Sequence, residues 1–141
     1  MKMASAVNIY VASATEQLSL VEHYVDRLRS ENFVITYEWT KDVREGGFKP
    51  DSELTETHRR YAARMDSHGV SVCDLLWVLT APRKDQGCGM WIELGIAIAL
   101  KKKIVVSGAQ SKRSVFTELC DAKFDDHEDA FRFISQGGVL L

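Results

Sequence analysis

The chain has 141 residues, 45% hydrophobic and 27% charged, with 18 Lys and Arg against 20 Asp and Glu. This is ordinary globular composition, and one compact domain over residues 1–141 is the expectation. A formal charge of -2 argues against broad binding to a nucleic-acid polymer and leaves room only for a local phosphate site.

The longest apolar runs, residues 75–79 and 96–100, fall far short of the ~20 that span a bilayer. The N-terminus lacks the pattern of a secretory signal, so no membrane association and a cytoplasmic location are expected. Cys73, Cys88 and Cys120 form no close-spaced ligand pair and cannot all pair with one another, which fits reduced thiols. Together with His23, His58, His68 and His127 they show no metal-ligand spacing, and no metal is expected.

In chain order, residues 7–12 are rich in strand formers. Leu18, Leu20, Val21, Tyr24, Val25 and Leu28 then recur mostly at three- and four-residue steps, the stripe of an amphipathic helix. Residues 33–37 read as a second strand. Residues 38–52 hold Gly46, Gly47, Pro50 and seven charged residues, and read as a surface loop. A polar helix follows over 53–69, with Tyr61, Ala62 and Met65 as its expected buried face. Residues 74–79 are nearly continuous in apolar residues, as in a strand covered on both faces. A loop over 81–89 precedes a helix over 90–100, and Lys101–Lys103 stand where cations oppose the negative end of its dipole. Residues 104–107 form another strand, Phe124 sits in a short edge strand, and Asp125-Asp126 cap a last helix reaching Ser135. This alternation predicts an α/β domain: a doubly wound parallel sheet of about five strands flanked by helices. Ligands of such sheets bind outside the carboxyl ends of the strands, at the topological switch point, which gathers the loops after Ala12, Tyr37, Leu79 and Ser107 around one crevice.

Gly87-Cys-Gly-Met-Trp-Ile-Glu93-Leu-Gly95 lies at one of these strand-to-helix junctions. Its glycines permit close backbone approach. Glu93, in the first turn or so of the helix, can be a simple partner of the helix dipole. A phosphate cradle is an alternative, although neither a Walker-type loop nor a G-x-G-x-x-G after the first strand is present.

Gly89-Met-Trp-Ile-Glu93-Leu-Gly95-Ile-Ala97 resembles the G-T-x-x-E-x-G-x-A signature of the nucleoside 2-deoxyribosyltransferase superfamily, which includes 2'-deoxynucleoside 5'-phosphate N-hydrolases. Asn8-Ile-Tyr10-Val-Ala12-Ser13 resembles the first strand of that family. Residues 66–79 resemble its central helix and strand, and residues 101–107 the strand after its active-site helix. The resemblance implies a flavodoxin-like fold, and it implies that Glu93 is a nucleophile. Asp66, eight residues before Asp74, matches the family's helix aspartate; Asp74 itself is read as a cap. Tyr10 matches the tyrosine of the first-strand motif; its hydroxyl can orient a carboxylate, and a side chain that only packs beside the sheet is the alternative.

The activity so implied is cleavage of an N-glycosidic bond through a covalent glycosyl-enzyme intermediate, with water or a second base as acceptor, and hydrolysis favoured. The ligand is a small-molecule nucleoside or nucleotide; no metal or redox cofactor is required, and a homodimer or larger assembly is implied. Departures from the pattern define the candidate binding residues. Gly87 stands where transferases carry another aspartate, which Asp85 can replace from the loop; Met90 replaces Thr beside Gly89. No arginine follows the first strand to hold a 5'-phosphate, so the hydroxyls of Ser13 and Thr15 and the backbone there are candidates, as are Lys41, Arg44, Arg59 and Arg113. Trp39 is the better base-stacking candidate, Trp91 the lesser, and Trp77 belongs in the core. Two alternatives remain: a nucleotide or nucleotide-sugar sensor on the same fold, and a flavin or phosphoacceptor protein. The second lacks both a strand-end aspartate pair and a Ser/Thr-rich phosphate loop.

Overall fold

The computed structural model describes residues 6–139. Five strands form one parallel sheet: β1 (Asn8–Ala12), β2 (Val34–Ile35), β3 (Leu75–Leu79), β4 (Lys103–Ser107) and β5 (Ala122–Phe124). Their order, β2-β1-β3-β4-β5, is the flavodoxin-like arrangement, with its switch point between β1 and β3. Tyr10 is opposite Leu76 and Ala12 opposite Val78, while Val78 pairs with Val106 on the other side.

Alternation along the strands divides the core into two layers. Ile9, Val11, Leu75, Trp77 and Val105 face α1 (Leu18–Ser30) and α5 (His127–Ser135), where Val21, Tyr24, Leu28, Phe131 and Ile134 cover them. Tyr10, Ala12, Leu76, Val78 and Val106 face α3 (Glu56–Ser71) and α4 (Cys88–Ala99), packing on Val70, Met90, Leu94 and Ala97. Every residue of β3 is buried because helices cover both of its faces, which explains its unbroken apolar sequence. Asp126 caps α5 by accepting the backbone N–H of Glu128 (2.6 Å), and Thr55 caps α3 by accepting that of His58 (3.1 Å). Asp74 accepts the backbone N–H of Asn8 at 2.8 Å, tying the start of β3 to that of β1.

Three expectations are corrected. Residues 38–52 are not simply a loop, because α2 (Trp39–Glu45) lies within them. The indole N–H of Trp39 donates to the carbonyl of Val11 (2.7 Å) and Thr40 is buried, so tertiary anchoring imposes a helix on a charged segment. The second strand is limited to two residues; beyond it the Thr36 hydroxyl donates to the carbonyl of Gly69 (2.7 Å), and the chain leaves the ladder for α2. Tyr61 is exposed, and the buried end of α3 is Gly69 and Val70, more than two turns later.

Candidate active site

Tyr10 projects from the middle of β1 into the α3–α4 layer and is wholly buried. Its hydroxyl donates to Oε2 of Glu93, which α4 presents from the same face as Met90, Leu94 and Ala97. Asp66 enters from α3. The Tyr10 hydroxyl lowers the pKa of Asp66 as well as that of Glu93, while its hydrogen bond goes to Glu93.

The local sequence of α3 makes this approach possible. Gly69 follows Asp66 by three residues, on the same side of the helix. A Cβ at position 69 would lie 2.8 and 2.9 Å from ring carbons of Tyr10 and 2.9 Å from the Cβ of Tyr37. The absent side chain is therefore the space that the Tyr10 ring fills.

On α4 the helix starts earlier than the sequence suggests. Gly87 adopts the left-handed conformation (φ 78°) as N-cap and Cys88 is the first helical residue, so Glu93 lies in the second turn. It is 8% exposed and faces Tyr10 rather than the free N–H groups of the helix start, which sets aside the dipole-partner reading.

Burial dominates the electrostatics. Glu93 is raised from 4.5 to about 8, first by burial and then by the negative charge of Asp66; the Tyr10 hydrogen bond opposes both. Burial likewise raises Asp66 to about 6 against the Tyr10 hydrogen bond, with smaller upward contributions from Asp42 and Asp51. Tyr10 is held well above the usual phenol range by burial and then by Glu93 and Asp66, so it remains a donor. Tyr37 is pushed up to about 12 by burial, with Asp42, Asp66 and Tyr61 adding. Among the described residues no Lys or Arg lies within 4.0 Å of the carboxylate of Glu93 or Asp66. Two carboxyls with displaced titrations beside a phenol donor form an acid–base pair able to hold one proton between them near neutral pH.

Among the described residues, four buried side-chain oxygens have no protein partner: Ser13 Oγ, Thr40 Oγ1, Asp66 Oδ1 and Gln86 Oε1. Buried polar atoms are nearly always hydrogen-bonded in native proteins, so such atoms mark places for water or ligand. Ser13 directly follows β1, and Ala14 meets the start of α4, since a Cβ on Gly87 would lie 3.2 Å from that of Ala14.

The remaining expected binding residues separate from this cluster. Met90 is wholly buried under Gly87, where a Cβ would lie 3.0 Å from its Sδ; it is core, not a ligand contact, because the helix begins before it and turns it inward. Asp85 is exposed and pairs with Arg83 at 2.7 Å. Gly89 is exposed with nothing within 4 Å of an added Cβ. Trp39 is half-buried between the two core layers with its indole N–H engaged. A cleft of about 690 Å3 runs along the other flank of α4, lined by Trp91, Leu94, Gly95, Phe116 and the loop holding Lys84 and Asp85. Glu93, Asp66 and Tyr10 do not line it; the buried polar groups, not this cleft, define the candidate site. Sequence reading passed over Gly69, Thr40 and Tyr37. An isolated glycine within a polar helix was the signal available for the first.

The fold is thus that of a doubly wound, flavodoxin-like α/β protein with a carboxylate pair at its switch point. It resembles the structure of the Clostridium botulinum CMP N-glycosidase BcmB, with a TM-score of 0.59 and 14% sequence identity over 92% of this chain and 98% of that one. No protein-family model matches the sequence, and no curated protein does.

Proposed function

We propose that the chain is an N-glycosidase that cleaves a (deoxy)nucleoside or nucleoside 5'-monophosphate through Glu93, with water favoured over a second base as acceptor. The observation carrying this reading is the buried Glu93–Tyr10–Asp66 cluster, where a strand tyrosine holds one of two coupled carboxyls beside the switch point. The fold it shares with a CMP N-glycosidase supports the same class of reaction.

Near neutral pH the pair's proton rests on Glu93, the weaker acid of the two; its transfer to Asp66 when substrate binds leaves Glu93 a carboxylate accepting from Tyr10. Glu93 attacks the anomeric carbon, forming an ester as the N-glycosidic bond breaks. The bond's electron pair leaves with the base, which takes the proton of Asp66. Asp66, now a carboxylate, accepts a proton from water as that water attacks the same carbon. The ester breaks, and Glu93 leaves as a carboxylate with free sugar as product. Each carboxyl serves twice, as in retaining glycosidases. The family resemblance further supports a homodimer or larger assembly. The exposed Ile92, Leu100, Val115, Phe116 and Leu119 offer apolar surface for it, and sedimentation showing a fully active monomer would contradict that assignment.

Intact-mass analysis of acid-quenched reactions tests the covalent step. A species heavier by one bound sugar, absent in Glu93→Ala, is the expected result. Base release at the wild-type rate by Glu93→Ala would remove the nucleophile assignment.

A further inference from the structure

We propose that His127 is an acid-operated latch, which ties the start of α5 to the ends of β3 and β4 and releases it when the imidazole takes a second proton. The inference goes beyond the N-glycosidase reading and does not depend on it. Three side chains form a chain at the carboxyl end of the sheet. The Trp77 indole N–H donates to Ser107 Oγ (2.9 Å), and Ser107 Oγ lies 2.7 Å from His127 Nδ1. Trp77 and Ser107 are wholly buried. An indole only donates, so Ser107 accepts from Trp77. Among the described residues the one acceptor left for the hydrogen of Ser107 is His127 Nδ1. The docked imidazole is therefore neutral, with its proton on Nε2. Protonated His127 presents N–H groups at both nitrogens, and the Ser107 hydrogen then has no acceptor. A buried donor without a partner is costly, so the chain is satisfied only while His127 is neutral.

Packing and charge act in the same direction. Gly108 follows Ser107 with a φ of 103°, and a Cβ there would lie 2.6 Å from His127 Cε1 and 2.4 Å from Thr80 Oγ1, so the ring is seated against bare backbone. His127 is the first residue of α5, where the helix dipole disfavours a cation. Burial holds it below the ordinary 6.5, with Asp126 opposing. The next acids of α5 are engaged, Glu128 with Arg27 and Asp129 with Arg132, and Lys123 of β5 is turned to Glu118. Ser107 and Gly108 face the ring from β4 and the loop after it, and Trp77 and Thr80 reach it from β3; none is charged. As pH falls the unfolded chain takes the proton first, near 6.5, so the docked arrangement is fully stable above that value and loses stability below it. The latch reaches the ligand side of the sheet. The Ser107 carbonyl accepts the backbone N–H (2.9 Å) and the hydroxyl (2.7 Å) of Thr80. Thr80 Oγ1 accepts the backbone N–H of Gln110 (3.2 Å), whose side-chain amide donates to the Pro82 carbonyl (3.2 Å). The loop after β4 and the loop leading into α4 are thus held through the residue that His127 holds.

NMR of the isotope-labelled full chain, titrated from about pH 8 to about pH 5, tests the latch across the range in which histidine changes charge. The Trp77 indole signal is identified by its contact with the Tyr24 ring, 5.1 Å between centroids. The Trp77 indole, the Gly108 and Gln110 amides and the His127 ring should shift together, with one midpoint below 6.5. His127→Asn keeps an acceptor for the Ser107 hydroxyl and does not titrate, so the same signals should hold their high-pH positions throughout. Ser107→Ala removes the hydroxyl stranded by protonation, and the His127 midpoint should rise toward 6.5. A His127 ring that titrates while the Trp77 and Gln110 signals stay still overturns the latch. So does a midpoint at or above 6.5, or a His127 that stays neutral until the whole chain unfolds. These results come from the wild-type protein and stand whether or not either variant folds. Unchanged acid shifts in folded His127→Asn overturn it as well.

Discussion

Replacing Glu93 by Gln should make the protein more stable, and increasingly so as pH rises. The side chain is 8% exposed, and its folded-state pKa of about 8 stands above the ordinary 4.5. The folded protein therefore holds a proton that the unfolded chain gives up from about pH 4.5. Stability is full below that value and declines as pH rises toward about 8. At about 1.36 kcal/mol per pH unit of displacement, the full loss is on the order of 5 kcal/mol, of which about 4 kcal/mol falls between pH 5 and pH 9. Gln keeps the acceptor for the Tyr10 hydroxyl and carries no charge to bury. Urea unfolding of both proteins at pH 5, 7 and 9 should give nearly equal stabilities at pH 5 and an advantage of several kcal/mol for Glu93→Gln at pH 9. Asp66 contributes its own smaller decline to both proteins, so the difference between the two curves isolates Glu93. Parallel pH profiles would refute the reasoning, because they would mean that Glu93 ionises in the fold as freely as in the unfolded chain. A variant that is inactive yet more stable is what a residue retained for function at a cost in stability produces.

Tyr10→Phe removes the donor that opposes the rise of Glu93; the rising limb of kcat/KM against pH should move upward and the rate fall by about 10²-fold or more. Asp66→Asn removes the second largest contribution raising Glu93, so the limb should move downward even as the maximal rate drops; an unmoved limb would separate the two carboxyls. Gly69→Ala sets a Cβ into the Tyr10 ring at 2.8 Å and into Tyr37 at 2.9 Å. It should cost about 1–3 kcal/mol in denaturant melts and reduce activity through displaced Tyr10. Unchanged stability and rate would show that the α3–β1 contact is looser than the geometry states.

Much of the fold was legible because burial leaves a period in the sequence. Residues 74–79 read as a covered strand and residues 18–28 as a helix stripe, and both elements stand there. Asp126 as the cap of the last helix is another local signal that tertiary structure left alone. Where the determinant was a distant partner, reading failed. Trp39 makes a helix of a charged segment only because the carbonyl of Val11, 28 residues earlier, accepts its indole N–H. Met90 is core because Gly87 starts the helix in a left-handed conformation, which turns position 90 inward. Glu93 and Tyr10 are 83 residues apart, and no periodicity joins them; the family resemblance named both residues, and parallel register brings them together. The leftover oxygens of Ser13, Thr40 and Asp66 had no sequence signal, since an unpartnered atom is defined only by its surroundings.

The most direct test of the account is chromatographic detection of free base from a panel of ribo- and deoxyribonucleosides and their 5'-monophosphates. Each is incubated with wild-type protein and with Glu93→Gln, with and without a second base. The account predicts free base from wild type and about 10³-fold less or none from the variant, with any new nucleoside revealing transfer. No base from any member of the panel, or release undiminished by Glu93→Gln, would contradict it.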